Sequence, residues 1–218
     1  MSEIPSDVNF TDEALIGRIT GDVSRNGYSL VHNALPPHIT EGLLTRILEL
    51  GSADFKPAGT GRRSCRRLNP FVRRDRILWL DAAHPEDATF LDWMEKLRLA
   101  LNGRLYLGLF DYEAHFAHYP AGAFYKRHLD AFIGEANRLV TTVLYLNPGW
   151  TVADGGELLL YAGNGEEIQP RTLPVFGTLA VFLSEEFPHA VAVTNRDRYS
   201  VAGWFRLNAA RESVSKKI

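Results

Sequence analysis

Helical and strand-like patterns of apolar residues alternate in the first half of the chain. Apolar residues recur at helical spacing in three segments, at 11–25, 36–50 and 88–102. Runs of strand length lie between them, at 28–31 and 76–80. Thr11 is suited to cap the first helix, and Gly27 and Gly51 stand where the first two helices should end. We therefore predict three helices separated by short strands.

The pattern changes at Glu113, beyond which short apolar segments are separated by turn residues. The predicted strands are 113–119, 124–130, 138–146, 156–161, 178–183, 189–194 and 198–207. Segments such as Asn147-Pro148-Gly149 and Asp154-Gly155-Gly156 are typical of turns. Strands that follow a run of helices indicate an α+β fold, in which N-terminal helices buttress a β-sandwich or jelly roll.

The composition is that of a globular protein with enough chain for one hydrophobic core. The chain has 218 residues, of which 45% are hydrophobic and 23% charged. We expect one domain over residues 1–218, with helical support mainly in 1–112 and a jelly-roll core mainly in 113–207. No apolar run approaches the length of a membrane span and no signal-peptide pattern is found, so no membrane association is expected. The single cysteine, Cys65, fits a reducing compartment and a cytoplasmic location.

Positive charge is concentrated in one segment, although the net charge is −2. Seven arginines stand against one acid there: Arg62, Arg63, Arg66, Arg67, Arg73, Arg74 and Arg76. We expect residues 57–75 to form a long exposed loop, which is either an ordinary solvated loop or a mobile flap that closes over a macromolecular, acidic substrate. A nucleic-acid patch is a third alternative. The net charge and the single interleaved aromatic, Phe71, argue against it.

Candidate metal ligands come from two distant segments. His128 and Asp130 lie two residues apart in a strand-like segment, so their side chains should share a face, with Leu129 turned away. His189 opens another predicted strand and can supply a third ligand. Two imidazoles and one carboxylate are the ligand set of non-haem Fe(II) oxygenases, which leaves positions open for a co-substrate and oxygen. The alternative is that each histidine is merely structural. That interpretation must explain why all three potential ligands occur together in this pattern.

A candidate anion pocket lies on the last strand. Parity places Arg198, Ser200, Ala202 and Trp204 on one face, an arginine followed by two small residues and an aromatic wall. A buried arginine needs an anion, and its planar fork suits a carboxylate, so this face fits a slender dicarboxylate. The alternative is an edge-strand arginine in a surface ion pair.

Two tyrosines could complete this pocket. The hydroxyl of Tyr145 could donate a second hydrogen bond to the same carboxylate, and Tyr119 could line the co-substrate pocket. For both residues the alternative is simple core packing. His115 and His118 lie near the site in sequence, and we expect both to be structural or to support the ligands indirectly.

Residues 113–207 resemble the prolyl 4-hydroxylase branch of the 2-oxoglutarate/Fe(II) dioxygenases, in particular the hypoxia-inducible-factor prolyl hydroxylases and their bacterial relatives. The matching segments are 118–130, 144–147, Asp154-Gly155-Gly156-Glu157, Pro188-His189 and 198–205, with 72–79 upstream. Two positions depart from the animal enzymes: Arg74 replaces a glycine, and Ala202 replaces a threonine. The resemblance implies a double-stranded β-helix, the jelly-roll fold of the cupins.

The resemblance also implies roles for individual residues. Iron would be held by His128, Asp130 and His189. The 2-oxoglutarate pocket would be formed by Arg198, Tyr145, Tyr119 and Trp204. The protein substrate would be bound by Arg73, Asp75, Tyr125, Arg138 and Trp204, with the 57–75 loop as a mobile finger. The cofactor would be Fe(II), 2-oxoglutarate and O2 would be co-substrates, and ascorbate would serve as a reductant.

The resemblance implies a protein substrate as well. Bacterial members of this group resemble hydroxylases of a prolyl residue in the switch loop of elongation factor Tu, which makes that protein the expected partner. Three alternatives remain: a small-molecule oxygenase of the same fold, a Zn or Mn cupin-like hydrolase or isomerase, and a non-catalytic binding module. A long arginine-rich loop disfavours the first, and an arginine and tryptophan in register disfavour the second.

Overall fold

The structure, a computed structural model, describes residues 12–51, 53–59, 69–130, 137–163 and 165–208. The helices in this part of the chain are α1 (Asp12–Asn26), α2 (Pro37–Glu49) and α3 (Pro85–Leu105). The strands are β1 (Tyr28–Val31), β2 (Lys56–Pro57), β3 (Arg76–Trp79), β4 (Leu109–Tyr119), β5 (Tyr125–His128), β6 (Arg138–Tyr145), β7 (Leu158–Tyr161), β8 (Glu167–Thr172), β9 (Leu179–Leu183), β10 (His189–Val191) and β11 (Arg198–Leu207).

The three predicted helices are present, and their ends follow from local chemistry. Acidic residues occupy the first turns of α1 and α3 and an arginine occupies each last turn, which agrees with the helix dipole. Proline opens α2 at Pro37 and α3 at Pro85, where its missing N–H costs nothing. For this reason α3 starts before the predicted residue 88. The predicted cap Thr11 lies outside the described residues.

The strands form two antiparallel sheets, as a double-stranded β-helix requires. The larger sheet has the order β1-β9-β6-β11-β4-β3-β2, and the smaller has the order β5-β10-β7-β8. Apolar side chains from both sheets, among them Leu160 of β7 and Phe182 of β9, pack together in one cluster. The predicted α+β fold with a jelly-roll core and helical support is therefore confirmed.

The central strand β11 separates two environments. Val201 and Phe205 face the helices and join the main core with residues of α1, α2 and α3. Arg198 and Trp204 project from the opposite face into the space between the sheets. This is the alternation that the sequence predicted, and it lets one strand hold the helical layer on one side and the functional site on the other.

Two parts of the sequence-based prediction were incomplete or wrong. The strand β8 was not predicted, because it contains Pro170 and lacks clear alternation. It lies at the edge of the smaller sheet, where proline is tolerated. The 57–75 segment was predicted to be exposed throughout, yet Asp75 is only 3% exposed. The prediction holds at Phe71, which is exposed, whereas Ala58 near the start of the segment is buried, and residues 60–68 lie outside the described part of the chain.

No helix in the described part of the chain is long and apolar enough to cross a bilayer.

Candidate active site

His128, Asp130 and His189 meet in the space between the two sheets. Their ligand atoms all lie within 4.8 Å of one another. Strand register explains the meeting, because His189 of β10 is the cross-strand partner of His128 of β5. Nε2 of His128 lies 3.5 Å from Oδ1 of Asp130, and Nε2 of His189 lies 3.5 Å from Oδ2. The three residues predicted as ligands are therefore brought together.

The backbone reaches this arrangement differently from the prediction. Strand β5 ends at His128, and Asp130 sits in a bend beyond it. His128 and Asp130 are therefore close together as predicted, but not because they share one face of a strand. Leu129, expected to turn away, borders the cavity. A bend after the first histidine brings the carboxylate back toward both imidazoles, and strand alternation alone could not have specified it.

Backbone carbonyls orient both imidazole rings. Nδ1 of His128 donates to the carbonyl of Lys126 at 2.8 Å, and Nδ1 of His189 donates to the carbonyl of Phe187 at 3.1 Å. In a neutral ring the proton then sits on Nδ1, so each Nε2 presents a lone pair to the carboxylate. Imidazole lone pairs and carboxylate oxygens that face each other repel, and a cation between them would turn this repulsion into attraction. This donor set fits a divalent transition metal.

The protonation states of the triad suit metal binding at neutral pH. Burial, reinforced by the neighbouring His128, lowers the pKa of His189 to about 4. Burial alone would raise the pKa of Asp130. Interactions with His189, His128 and Trp204 outweigh it and hold this pKa well below its usual range. A neutral imidazole and an ionised carboxylate are the forms that ligate metals.

Two further residues hold the carboxylate of Asp130, and sequence analysis missed them in this role. Trp204 Nε1 donates to Oδ2 at 2.8 Å, and Thr141 Oγ1 donates to the same oxygen at 2.9 Å. Thr141 also shares a hydrogen bond of 2.8 Å with Ser184. The alternation of side chains along β6 could have predicted that Thr141 lies on the same face as Tyr145, four residues later. Nothing in the sequence pattern indicated Ser184.

Arg198 lies at the other end of the site, 1% exposed and without an ion-pair partner among the described residues. Its Nε donates to the carbonyl of Gly156 at 2.9 Å, and Nη1 donates to Ser200 Oγ at 3.4 Å. The guanidinium lies over two aromatic rings, 4.9 Å from the centre of Tyr119 and 5.0 Å from that of Tyr145. A buried cation of this kind requires an anion from outside the chain.

The hydroxyl of Tyr145 has the same need. It is buried and makes no hydrogen bond with any described residue. Burial raises the pKa of Tyr145 to about 12, so the hydroxyl keeps its proton at neutral pH. Buried hydroxyls are rarely left without a partner. A carboxylate placed between Arg198 and Tyr145 would satisfy both groups, so the residues present fit a dicarboxylate co-substrate.

One cavity of about 420 Å³ joins the triad to Arg198. Its wall includes the predicted small residues of β11, Ser200 and Ala202, together with Trp204 and Tyr119. The volume is in the range of small-molecule sites, and the lining combines apolar walls with a few polar groups. The predicted face of β11 is therefore the floor of a real cavity that also contains the three candidate ligands.

The predicted substrate residues Arg73, Asp75 and Tyr125 form a stacked array beside the triad. Arg73 makes two hydrogen bonds to Asp75, of 2.7 and 2.5 Å. Its guanidinium lies 4.2 Å from the centre of the Tyr125 ring, and that ring stacks on His128 at 3.5 Å. Arg73 is thus occupied by an internal ion pair, while it and Tyr125 border the cavity. Their contact with a substrate stays a prediction.

Arg138 is the other predicted substrate residue, and it is also internally paired. Its guanidinium donates to Glu113 Oε1 at 2.7 and 2.9 Å and stacks 3.6 Å from the Trp204 ring. His115 is buried and packs against Trp204, with ring centres 5.4 Å apart. His118 stacks on Tyr199, away from the triad. The structure therefore places both histidines in supporting positions and not among the candidate ligands.

Comparison with known proteins agrees with this geometry. A model of the 2OG-Fe(II) oxygenase superfamily matches residues 114–206, which include all three candidate ligands and Arg198. A Pseudomonas putida prolyl-4-hydroxylase is 38% identical, with a TM-score of 0.80 over 89% of this chain and 100% of that one. A prolyl hydroxylase from Trichoplax adhaerens, in complex with a hypoxia inducible factor peptide fragment, is 26% identical, with a TM-score of 0.80 over 95% of this chain and 94% of that one.

A viral collagen prolyl hydroxylase from Paramecium Bursaria Chlorella virus-1, solved as a 2OG complex, shares the fold. It is 17% identical, with a TM-score of 0.59 over 85% of this chain and 98% of that one. The match to the 2OG-Fe(II) oxygenase superfamily, together with the His-Asp-His site, shows that the chain is a dioxygenase that uses Fe(II) and 2-oxoglutarate. Within that class, identity and coverage show that the chain belongs to the prolyl 4-hydroxylase family. Membership argues against the cupin-like hydrolase and the non-catalytic module.

Proposed function

We propose that this protein hydroxylates C4 of a prolyl residue in a protein substrate, and that elongation factor Tu is that substrate. The observation that carries the proposal is a single cavity that joins the His-Asp-His triad to an unpaired Arg198, in a chain 38% identical to a bacterial prolyl-4-hydroxylase. A peptide-bound relative from Trichoplax adhaerens supports a protein substrate over a free small molecule.

The triad is assigned to the metal. His128, Asp130 and His189 would hold Fe(II), and their ring orientations and protonation states suit that role. When bound, Fe(II) supplies the redox chemistry by which 2-oxoglutarate and O2 are converted to succinate and carbon dioxide while a C–H bond is hydroxylated. The protein's own contribution is to orient the reactants and exclude water from the buried site.

Arg198 and Tyr145 are assigned to the carboxylate of 2-oxoglutarate that lies farther from the metal. The guanidinium contributes charge and a planar pair of donors, and the neutral Tyr145 hydroxyl contributes one more. Tyr119 packs beneath the guanidinium, and Ser200 and Ala202 leave room for the slender chain of the co-substrate. Trp204 closes the side of the pocket next to Asp130.

The substrate prolyl residue would enter beside Tyr125, Arg138 and Trp204. The Arg138 guanidinium stacked on the indole makes a flat wall, and its charge is already compensated by Glu113. Tyr125 also borders the cavity, and its ring contacts the Arg73 guanidinium and the His128 ring. Because Arg73 is likewise paired with Asp75, recognition at the cavity would rest on shape and aromatic contact more than on free charge.

The test is hydroxylation of purified elongation factor Tu with Fe(II), 2-oxoglutarate and O2, with and without ascorbate, followed by peptide mass spectrometry. One added oxygen on a single proline supports the proposal, and the His189→Ala protein is the matched inactive control. If elongation factor Tu stays unmodified while another lysate protein gains oxygen, the named substrate is wrong. If only free small molecules are oxidised, the protein-hydroxylase assignment fails.

A further inference from the structure

We infer that Ser184, Thr141 and Trp204 form a hydrogen-bonded clamp that sets the orientation of the Asp130 carboxylate for metal binding. The inference rests on the metal triad assigned above and goes beyond it by naming positioning residues. No hydrogen bond among the described residues joins Thr141 or Ser184 to the proposed co-substrate residues Arg198 and Tyr145.

The direction of each hydrogen bond follows from proton counting. A carboxylate that ligates a cation is ionised and can only accept hydrogen bonds. Thr141 must therefore donate its single hydroxyl proton to Asp130 Oδ2. The hydrogen bond between Thr141 and Ser184 then needs its proton from Ser184. The order of donation is Ser184 to Thr141 to Asp130, and Trp204 Nε1, which can only donate, reaches the same carboxylate oxygen at 2.8 Å.

The consequence is a carboxylate that cannot rotate freely. Both donors act on Oδ2, which also lies 3.5 Å from Nε2 of His189, while Oδ1 faces Nε2 of His128 at 3.5 Å. Because Oδ2 already accepts two hydrogen bonds, Oδ1 retains the greater lone-pair capacity for a metal. Such outer partners fix ligand geometry, and their loss typically lowers metal affinity about 10- to 100-fold.

The clamp is built into the rigid part of the fold. Thr141 and Ser184 are buried where β6 runs beside β9, and the backbone N–H of Ser184 donates to the carbonyl of Leu139 at 3.0 Å. The Trp204 ring contacts both the Arg138 guanidinium, 3.6 Å from the ring centre, and the His115 ring, whose centre lies 5.4 Å away. Strand pairing and ring packing thus preset the donors before any metal arrives.

The neighbouring residue Thr142 offers a matched control. It is also a buried threonine of β6, but its hydroxyl faces the helical side and bonds Tyr112 and the carbonyl of Gly203. Substitution by valine at position 141 or 142 removes one buried hydroxyl and keeps the shape of the side chain. Only the substitution at 141 touches the clamp.

The experiment is titration of metal-free protein with Co(II), read by ligand-field absorption, in Thr141→Val, Thr141→Ser, Ser184→Ala and Thr142→Val. We expect Thr141→Val to weaken Co(II) binding about tenfold, Ser184→Ala to weaken it less, and both to alter the spectrum. Thr141→Ser should restore wild-type binding because it keeps the hydroxyl. Thr142→Val should match wild type in affinity and spectrum.

Wild-type Co(II) affinity in both Thr141→Val and Ser184→Ala would overturn the clamp, as would equal losses in Thr141→Val and Thr142→Val. Should Thr141→Val fail to fold, the contrast between Thr141→Ser and Ser184→Ala decides. A His189→Ala titration separates the two proposals, since unchanged Co(II) binding there would refute the triad itself. No protein substrate is used, so an incorrect substrate assignment leaves this result untouched.

Discussion

Arg198 combines full burial with a free charge, and that combination is costly unless an anion completes it. Its neighbours compensate only partly, since a carbonyl, a hydroxyl and two aromatic faces carry no net negative charge. Tyr145 adds an unpaired hydroxyl beside it. A bound carboxylate would compensate both groups, so we expect substitutions of Arg198 or Tyr145 to change co-substrate binding more than folding.

We predict that Arg198→Ala raises the 2-oxoglutarate requirement about 10²- to 10³-fold. The estimate takes about 3–5 kcal/mol for breaking a buried charge pair, at about 1.4 kcal/mol per factor of ten. The contact is remote from the reacting carbon, so the loss should appear mainly in binding. Steady-state kinetics with varied 2-oxoglutarate will check it, and an unchanged constant would remove Arg198 from the pocket.

Tyr145→Phe should separate binding from stability. A hydrogen bond to a charged group contributes about 1.5–3 kcal/mol, so 2-oxoglutarate affinity should fall about 10- to 100-fold. Without co-substrate the variant should be at least as stable as wild type, because the hydroxyl makes no hydrogen bond with the described residues. Thermal melts with and without 2-oxoglutarate give both quantities. Equal stabilisation of variant and wild type by 2-oxoglutarate would refute the assignment.

The strands and their connections position these groups, and β11 does so most tightly. Gly203 has ordinary strand geometry, but a Cβ there would clash with the Tyr112 ring and hydroxyl and crowd Ala114. The close approach keeps the helical layer against the sheet, whose other face carries Arg198 and Trp204. Glycine at this position is thus required by packing and not by backbone conformation.

Gly203→Ala should lower the free energy of unfolding by about 1–3 kcal/mol, the usual cost of overpacking a core. Gly103→Ala is its control. That glycine lies exposed in α3 with nothing within 4 Å of an added Cβ, and alanine there should raise stability by about 0.4–1 kcal/mol. Urea unfolding of both variants measures the difference. Equal changes in the free energy of unfolding would show that the close contact with Tyr112 does not exclude a side chain at position 203.

In the segment before β3, we expect Arg73 to stabilise the fold through its ion pair with Asp75. Removal of this arginine leaves Asp75 buried and unpaired, so we expect Arg73→Ala to cost about 3–5 kcal/mol of stability. The double variant Arg73→Ala/Asp75→Ala should be more stable than the single one. Chemical denaturation of the cycle tests this. Additive losses would mean that the ion pair contributes little, and would return Arg73 to a purely substrate-facing role.

For the whole molecule, stability should depend on pH through buried neutral histidines. Burial, with a smaller contribution from Arg73, lowers the pKa of His115 to about 4, and burial with His128 does the same for His189. An unfolded histidine titrates near about 6.5, so between these values the unfolded state binds more protons. Stability is therefore full above about pH 6.5 and falls as the pH drops toward 4.

The measurement is urea unfolding of metal-free protein across this range, in wild type and His115→Gln. The variant should lose part of the pH dependence, because His115 is not a candidate ligand and its removal leaves the triad in place. A wild-type slope that matches the variant throughout would show that His115 is accessible to protons in the folded state.

Much of the site could be predicted from sequence because its main signals are local. The spacing of His128 and Asp130 indicated metal chemistry, and alternation along β11 placed Arg198, Ala202 and Trp204 on one face correctly. Such signals depend on residue type and on a repeat of two, which the backbone of a strand enforces wherever it lies. The N-terminal helices followed from periodicity for the same reason.

The remaining features depended on which distant segments meet. The Thr141–Ser184 pair follows from the pairing of β6 with β9, the burial of Arg73 and Asp75 from contact with β5, and the position of Asp130 from a bend beyond a strand end. Periodicity reports the local backbone and its exposure, and it carries no information on register between strands far apart in sequence. The amino-acid sequence alone therefore determined the candidate ligands and the face of β11 that lines the pocket, while tertiary packing decided which neighbouring side chains orient them.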